Sequence, residues 1–188
     1  HTQGGKAAKL ESGKVDLMGG IFAAASLYTG SFGSTNIWTQ TATVNFGQSF
    51  TARPIALKGF YKYTPNVINP AGVTIVKDQT LDQCAIYIAL AKKTYTIDNG
   101  NQSTFIDFKN DENIIAYGEL PSGAATEGDG YVEFNITLKY KNLTDQPTHI
   151  IVVCSSSKYG DYMTGGAGST LYVDDLSLIY DGTPTIWE

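Results

Sequence analysis

The chain is poor in charge, in arginine, in cysteine and in histidine, and it has no long apolar run. Charged residues make up 16% of its 188 positions, well below the usual quarter. Lys and Arg total 13 against 18 Asp and Glu, a net charge of −5. Arg53 is the only arginine and no basic stripe exists, which argues against a nucleic-acid partner. The only histidines are His1 and His149, and the only cysteines are Cys84 and Cys154. Neither CxxC nor a Cys/His zinc spacing occurs, so no zinc site is expected. No run is long enough to span a bilayer, and none shows sustained helical periodicity with caps. There is no internal repeat. Phosphate-cradling glycine patterns would need a strand-to-helix context that is missing, and Ser155-Ser156-Ser157 beside Lys158 lacks a nucleophile elbow.

What is abundant is glycine (20) and tyrosine (12), with much Thr, Ser and Asn. That balance suits strands joined by polar loops. The length suits a single domain over 1–188 with a substantial core. The first five residues are expected to be disordered and 182–188 to form a tail with an exposed Trp187. His1 reads as either a mature or an artificial terminus, so a signal peptide would already be missing.

Strands follow from period-two alternation and turn signals. Lys9–Val15 reads as a strand, broken at Met18-Gly19-Gly20. Ile21–Tyr28 could be helical by its alanines, but its shortness and glycine flanks favour a strand, followed by a TGSFG loop. Trp38, in the polar TNIWTQT stretch, is either a lid on the core edge or a sugar platform. Thr41–Phe50 alternates. After Arg53-Pro54, Ile55, Leu57, Gly59, Tyr61 and Tyr63 share a core face. Lys58, Phe60 and Lys62 share the other, either a solvated face or the lining of a shallow groove. Pro65–Gln79 is loop with a turn at Asn69–Gly72. Cys84–Ala91 is nearly all apolar, a central strand covered on both faces. Asn99-Gly100 predicts a hairpin joining Lys92–Asp98 to Asn101–Phe108. Ile114–Glu119 is a short strand and Pro121–Gly130 an acidic loop. In Tyr131–Tyr140, Val132, Phe134, Ile136, Leu138 and Tyr140 point inward. Thr148–Ser156 is buried and β-branched. Cys84 and Cys154 are either free buried thiols or, if their strands are antiparallel neighbours, a disulfide.

The stretch Ser155–Asp181, SSSKYGDYMTGGAGSTLYVDDLSLIYD, organises the rest. A strand ends in serines; a loop carries Tyr159, Asp161 and Tyr162; Gly165, Gly166 and Gly168 permit tight turning or close approach of another segment. In the strand that follows, Leu171 and Val173 are out of phase with Leu176, Leu178 and Tyr180. A β-bulge at Asp174-Asp175 would restore the phase. Either an Asp there hydrogen-bonds backbone groups freed by the bulge, or the pair contributes to a calcium site.

SSSK-x-G-D-x-x-x-G-x-x-GSTLYVDD-x-x-L-x-Y resembles the C-terminal part of the putative carbohydrate metabolism domain. FGQSFTARPIALKGFYKYTP (46–65) resembles that family's other hallmark, with QCAIYIAL (83–90) between them. The resemblance implies an all-β jelly-roll sandwich like a carbohydrate-binding module, in a secreted, periplasmic or outer-membrane-surface protein of a Gram-negative bacterium of the Bacteroides type. It supplies no catalytic residues.

Sugar rings present C–H faces and hydroxyl rims, so a binder wants flat aromatics beside a few polar groups. Tyr159, Asp161, Tyr162 and Lys158 meet that need, with Lys62, Tyr63 and Trp38 as further candidates. YGDY could equally fold over a sheet edge, and the serine hydroxyls could satisfy loop backbone. The expected function is non-catalytic binding of a polysaccharide or oligosaccharide at a bacterial surface, beside other domains of a longer protein. No cofactor is expected beyond a structural calcium at Asp174 and Asp175. The alternatives are a structural or adhesive protein-binding module and a glycoside hydrolase, which needs two carboxylates in one cleft. Asp107, Asp111, Glu112, Glu119, Glu127, Asp129, Glu133 and Asp161 could supply them, but no motif singles out a pair.

Overall fold

The computed structural model describes residues 4–15, 20–68, 76 and 80–187. The first residues of the expected disordered start, the Met18-Gly19 break and the Asn69–Gly72 turn lie outside that range. The fold is the expected all-β sandwich. Its first sheet runs β1 (Ala8–Glu11), β15 (Thr170–Ile179), β8 (Ala56–Thr64), β12 (Val132–Thr137), with every pair antiparallel. The second runs β16 (Thr185–Ile186), β13 (Lys139–Tyr140), β11 (Ile114–Glu119), β9 (Ala85–Ala91), β14 (His149–Ser155), β4 (Ser26–Tyr28), with β7 (Gln48–Ser49) also on β14. The chain passes repeatedly between the two sheets, as a jelly roll does: β7 to β8 to β9, and β14 to β15.

Between the sheets lies one core. Leu57, Tyr63, Ile88, Leu90, Leu138 and Leu171 are each at most 2% exposed. Burying an aliphatic side chain of this size stabilises the fold by about 1.5–3 kcal/mol. Tyr140 is fully buried, and its hydroxyl donates to Pro54 O at 2.7 Å. In β12 and β13 the inward alternation holds for Phe134, Ile136, Leu138 and Tyr140, but Val132, expected inward, is exposed at the start of the strand, and the run is divided. It leaves the first sheet after Thr137 and joins the second at Lys139, while Leu138 N bonds Ile55 O at 2.9 Å.

The outer face of the second sheet carries a second core. A small third sheet, β10 (Tyr95–Asp98), β6 (Thr41–Phe46), β5 (Gly30–Asn36), covers part of it. Phe46, Tyr95 and Ile97 from this layer meet Ala89, Ile151 and Val153. This is why β9 reads as a continuous apolar run: Ile86, Ile88 and Leu90 serve one core, Ala89 and Ala91 the other. A further pair, β2 (Gly13–Val15) and β3 (Ile21–Ala23), flanks the cleft described below.

Several expectations change. The TGSFG stretch lies in β5, paired with β6, instead of a loop. Trp38 at the β5–β6 turn is 96% exposed and lids no core. The Asn99-Gly100 turn exists, closed by Asn101 N to Asp98 O at 2.9 Å, but β10 pairs with β6 and no return strand follows. Neither Asn99 nor Gly100 has positive φ, so it is not the hairpin turn that Asn-Gly favours. Asn101 instead caps a short 3-10 turn at Gln102–Thr104 through its side chain. The C-terminal stretch is more than a tail: β16 pairs with β13, and Trp187 is half-buried, stacked on Tyr117 at 6.0 Å.

Both cysteines are free and buried. Cys154 faces Ile86 across the β14–β9 ladder, so Cys84 is its diagonal neighbour. Diagonal residues lie about 7–8 Å apart, beyond disulfide reach. Burial pushes each thiol up to about 12. The bulge in β15 falls where expected: the register with β8 shifts between Asp174 and Ser177. Asp175 has φ 50°, and its N–H donates to Asp174 Oδ1 at 2.9 Å. A carboxylate therefore serves the bulge backbone. Among the described residues no three Asp, Glu, His or Cys side chains cluster as a metal site.

Candidate functional site

The glycine-rich loop is anchored before it is functional. Ser12, Asp82, Ser155, Ser156, Ser157, Thr164 and Ser169 are all buried. Ser12 Oγ bonds Ser156 Oγ and Ser157 Oγ at 2.6 and 2.7 Å. Ser157 Oγ donates to Asp82 Oδ2 at 2.5 Å, and Gly166 N donates to the same oxygen at 2.8 Å. Gln83 N donates to Asp82 Oδ1 at 2.8 Å. Tyr63 OH donates to Ser156 O at 2.9 Å. Buried polar groups are tolerable only when paired in this way. The serine hydroxyls do serve backbone, as Ser155 Oγ to Ser157 O and Ser156 Oγ to Ala25 O show. They also bond one another and Asp82.

The glycines admit close neighbours. A Cβ on Gly166 would stand 2.5 Å from Asn66 O, and one on Gly165 2.3 Å from the Phe22 ring. Gly168 has φ +90°. A 3-10 turn at Gly160–Tyr162 follows Tyr159, whose carbonyl accepts from Tyr162 N and Thr164 N. Gly160 lies against Ala24, so this turn is held on the β3–β4 connection. Asp161 and Tyr162 are thereby fixed over the outer face of the second sheet.

That face and the third layer enclose a two-chambered cleft. The larger chamber has a volume of about 420 Å³ and the smaller about 200 Å³. Phe46, Ala85, Tyr87, Ile97, Lys158 and Asp161 belong to both walls, so the chambers adjoin there. The smaller is aromatic. Tyr87 on β9 stands opposite Glu119 on β11 in the ladder. Phe108 stacks on Tyr117 at 4.4 Å and meets Tyr87 edge-on at 5.3 Å; Phe105 meets Tyr162 edge-on at 4.9 Å. Tyr117 and Trp187 extend the row. Such ring pairs contribute about 0.5–1.5 kcal/mol each beyond their burial, which rigidifies the wall.

The electrostatics follow from enclosure. Asp161 is exposed as a residue yet lines both chambers, and desolvation by the surrounding protein raises its pKa. Burial raises the Tyr87 hydroxyl well above its ordinary value, and the Asp161 charge adds to the effect. Burial also raises the Tyr117 hydroxyl, followed by the charge of Glu119 and a hydrogen bond to it. Neither Lys158 Nζ nor the Asp161 carboxyl has a hydrogen-bond or ion-pair partner among the described residues.

The structure thus brings together Lys158, Asp161 and Tyr162. It does not bring the other candidates to them. Tyr159 lines neither chamber. Tyr63 is 1% exposed in the inter-sheet core, so its ring offers no face to a ligand. Lys62 lies on the outer face of the first sheet, where its Nζ donates to Asp129 O at 2.9 Å. Its neighbour Lys58 pairs with Glu133, so that face is solvated and salt-bridged. Trp38 is exposed at a hairpin tip and lines neither chamber. Sequence reasoning missed Tyr87, Phe105, Phe108, Tyr117 and Glu119 as one wall. The available signal was Tyr117 and Glu119, two apart on one strand face, and Tyr87, the lone aromatic in an aliphatic run.

Among the described residues no helix is long and apolar enough to cross a membrane. Among curated proteins none matches significantly. Among the solved structures similar to this chain are two from Bacteroides species. One is a putative glycoside hydrolase from Bacteroides thetaiotaomicron, with TM-score 0.74 and 25% identity, covering 97% of this chain and 56% of that one. The other is a putative glycoside hydrolase from Bacteroides vulgatus, with TM-score 0.70 and 25% identity, covering 95% of this chain and 74% of that one. The chain therefore spans little more than half the length of the first. The family model described as "Putative carbohydrate metabolism domain" matches residues 1–179. That match covers nearly the whole chain, and the chain belongs to the putative carbohydrate metabolism domain family.

Proposed function

We propose that this chain binds a glycan in the two-chambered cleft, without transforming it, as part of glycan capture or processing at the surface of a Gram-negative bacterium. One observation carries the reading: a preformed concavity whose aromatic wall (Tyr87, Phe105, Phe108, Tyr117, Tyr162) stands beside the uncommitted polar groups Lys158 and Asp161. Rings of this kind stack on sugar C–H faces, while the charged groups take hydroxyls. Membership of the putative carbohydrate metabolism domain family and the likeness to two putative glycoside hydrolases support a carbohydrate ligand. A secreted location and further domains of a longer protein belong to the same reading; the first relative is itself longer than this chain.

A second reading is glycoside hydrolysis. Asp161 and Glu119 line the same chamber, so two carboxylates face one cleft wall, as a hydrolase would need. Desolvation raises the Asp161 pKa, which would suit the acid of such a pair.

A glycan array, run with calcium and then with chelator, tests the first reading. Specific hits that weaken about tenfold or more in Tyr162→Ala are expected, without dependence on calcium. Calcium-dependent binding would return attention to Asp174 and Asp175. A blank array with folded protein would favour the adhesive or structural alternative. Hits incubated with the protein and assayed for new reducing ends separate the two readings: none are expected, whereas release abolished by Glu119→Gln and Asp161→Asn would establish hydrolysis.

A further inference from the structure

The two chambers differ in chemistry. The smaller is aromatic and carries Glu119; the larger is walled by Ile21, Phe22, Phe32, Val44, Val153 and their neighbours. Polar groups do line the larger chamber, but most are engaged. Ser26 Oγ donates to Ser155 Oγ, Ser155 Oγ to Ser157 O, and Ser157 Oγ to Asp82. Asn99 Oδ1 accepts from Ala42 N, and Thr41 Oγ1 bonds Thr39 Oγ1. The uncommitted charged groups, Lys158 and Asp161, sit on the wall shared with the aromatic chamber.

An unsubstituted sugar chain would satisfy the aromatic chamber and the charged junction. It would leave its hydroxyls facing the larger chamber, about 420 Å³ and mostly apolar in its lining. Placing hydroxyls against apolar walls without hydrogen bonds is unfavourable, whereas filling them with hydrocarbon gains roughly fourfold in affinity per fully buried methylene. The larger chamber by itself falls in the range of small-molecule sites, roughly 300–1,000 Å³.

We infer that the ligand is a glycoconjugate: a sugar held on the aromatic wall, with its hydroxyls at Lys158 and Asp161, that carries an apolar acyl, alkyl or aryl substituent seated in the larger chamber. The inference rests on the carbohydrate reading above and narrows it to a substituted sugar. It also assigns the β2–β3 and β5–β6 pairs a role, since Val15, Ile21, Phe22, Ala23, Phe32 and Val44 form the far walls.

Methyl and octyl β-glycosides of glucose, galactose and N-acetylglucosamine test it by titration below the micelle-forming concentration, with sodium octanoate as the sugar-free control. At least one octyl glycoside is expected to bind tenfold or more tighter than its methyl counterpart and than octanoate. Ala42→Phe, which takes up part of the larger chamber, should shrink the octyl-to-methyl affinity ratio. The wild-type octyl-to-methyl ratio needs no variant, so a misfolded A42F protein does not weaken the test. Equal binding of methyl and octyl glycosides overturns the inference and leaves the carbohydrate reading standing. Octanoate binding as tightly as every octyl glycoside overturns both, because the sugar would then contribute nothing. Absence of binding by all probes overturns both.

Discussion

Asp161 shows how one side chain can be costly to the fold and useful to a site. Desolvation raises its pKa, with no partner among the described residues to offset the charge. A carboxyl that ionises less readily folded than unfolded keeps its proton longer in the native state. Stability is then greatest in acid and falls as pH rises from the ordinary carboxylate range through the raised value. Asp161→Asn is therefore expected to raise the Tm at pH 7. The gain should shrink as the pH drops below the ordinary carboxylate range, where both proteins are neutral at this position. Thermal melts of both proteins from pH 3 to 8 check this; a variant less stable than the parent at pH 7 would show that the carboxylate has a stabilising partner. The residue was legible in the sequence because YGDY sits in a glycine-rich loop, where an acid between two tyrosines stands out. Tyr87 and Tyr117 were not, because strands covered on both faces give no polar contrast that marks a site.

At the scale of elements, the buried polar knot does what a helix cap does elsewhere. Asp82 ties the entrance of β9 to the serine run after β14 and to the loop before β15 through Ser157, Gly166 and Gln83. Ser12 adds the β1–β2 junction. Removing a buried acceptor strands several donors at once. Asp82→Ala is expected to cost about 3 kcal/mol or more, which for a domain of this size lowers the Tm by roughly 6–12 °C. Chemical denaturation measures it directly; a loss under about 0.5 kcal/mol, the level of a neutral surface change, would contradict the knot's importance. Period-two patterning made β6 and β12 legible, unbroken apolar and β-branched runs made β9 and β14 legible, and the phase slip marked the bulge. The crossing of the chain at Leu138 was invisible, because the inward alternation is the same whichever sheet a residue joins. The Asn-Gly hairpin failed because β10 found its partner in β6, far away in sequence, and Asn101 capped a 3-10 turn instead. Long-range pairing of this kind overrides a local turn preference.

The whole molecule is a sandwich with one face built over. Resemblance and alternation together pointed to the sandwich. They did not reveal the third layer, since nothing local says that Val44, Phe46 and Ile97 cover the outside of β9. That layer turns a sheet face into a cleft and brings the 158–162 loop to one side of it. The low charge and the absence of a basic stripe fit a partner recognised by stacking and hydroxyl bonding instead of by net charge.

The central claim is that the cleft is where sugar binds. The most direct measurement is a crystal structure of the protein with the strongest array ligand. The account predicts a sugar ring over the Tyr87–Tyr162 wall, with hydroxyls within hydrogen-bond reach of Lys158 or Asp161. A ring seated elsewhere, such as on the outer face of the first sheet beside Lys62 or at Trp38, with the cleft empty, would contradict it.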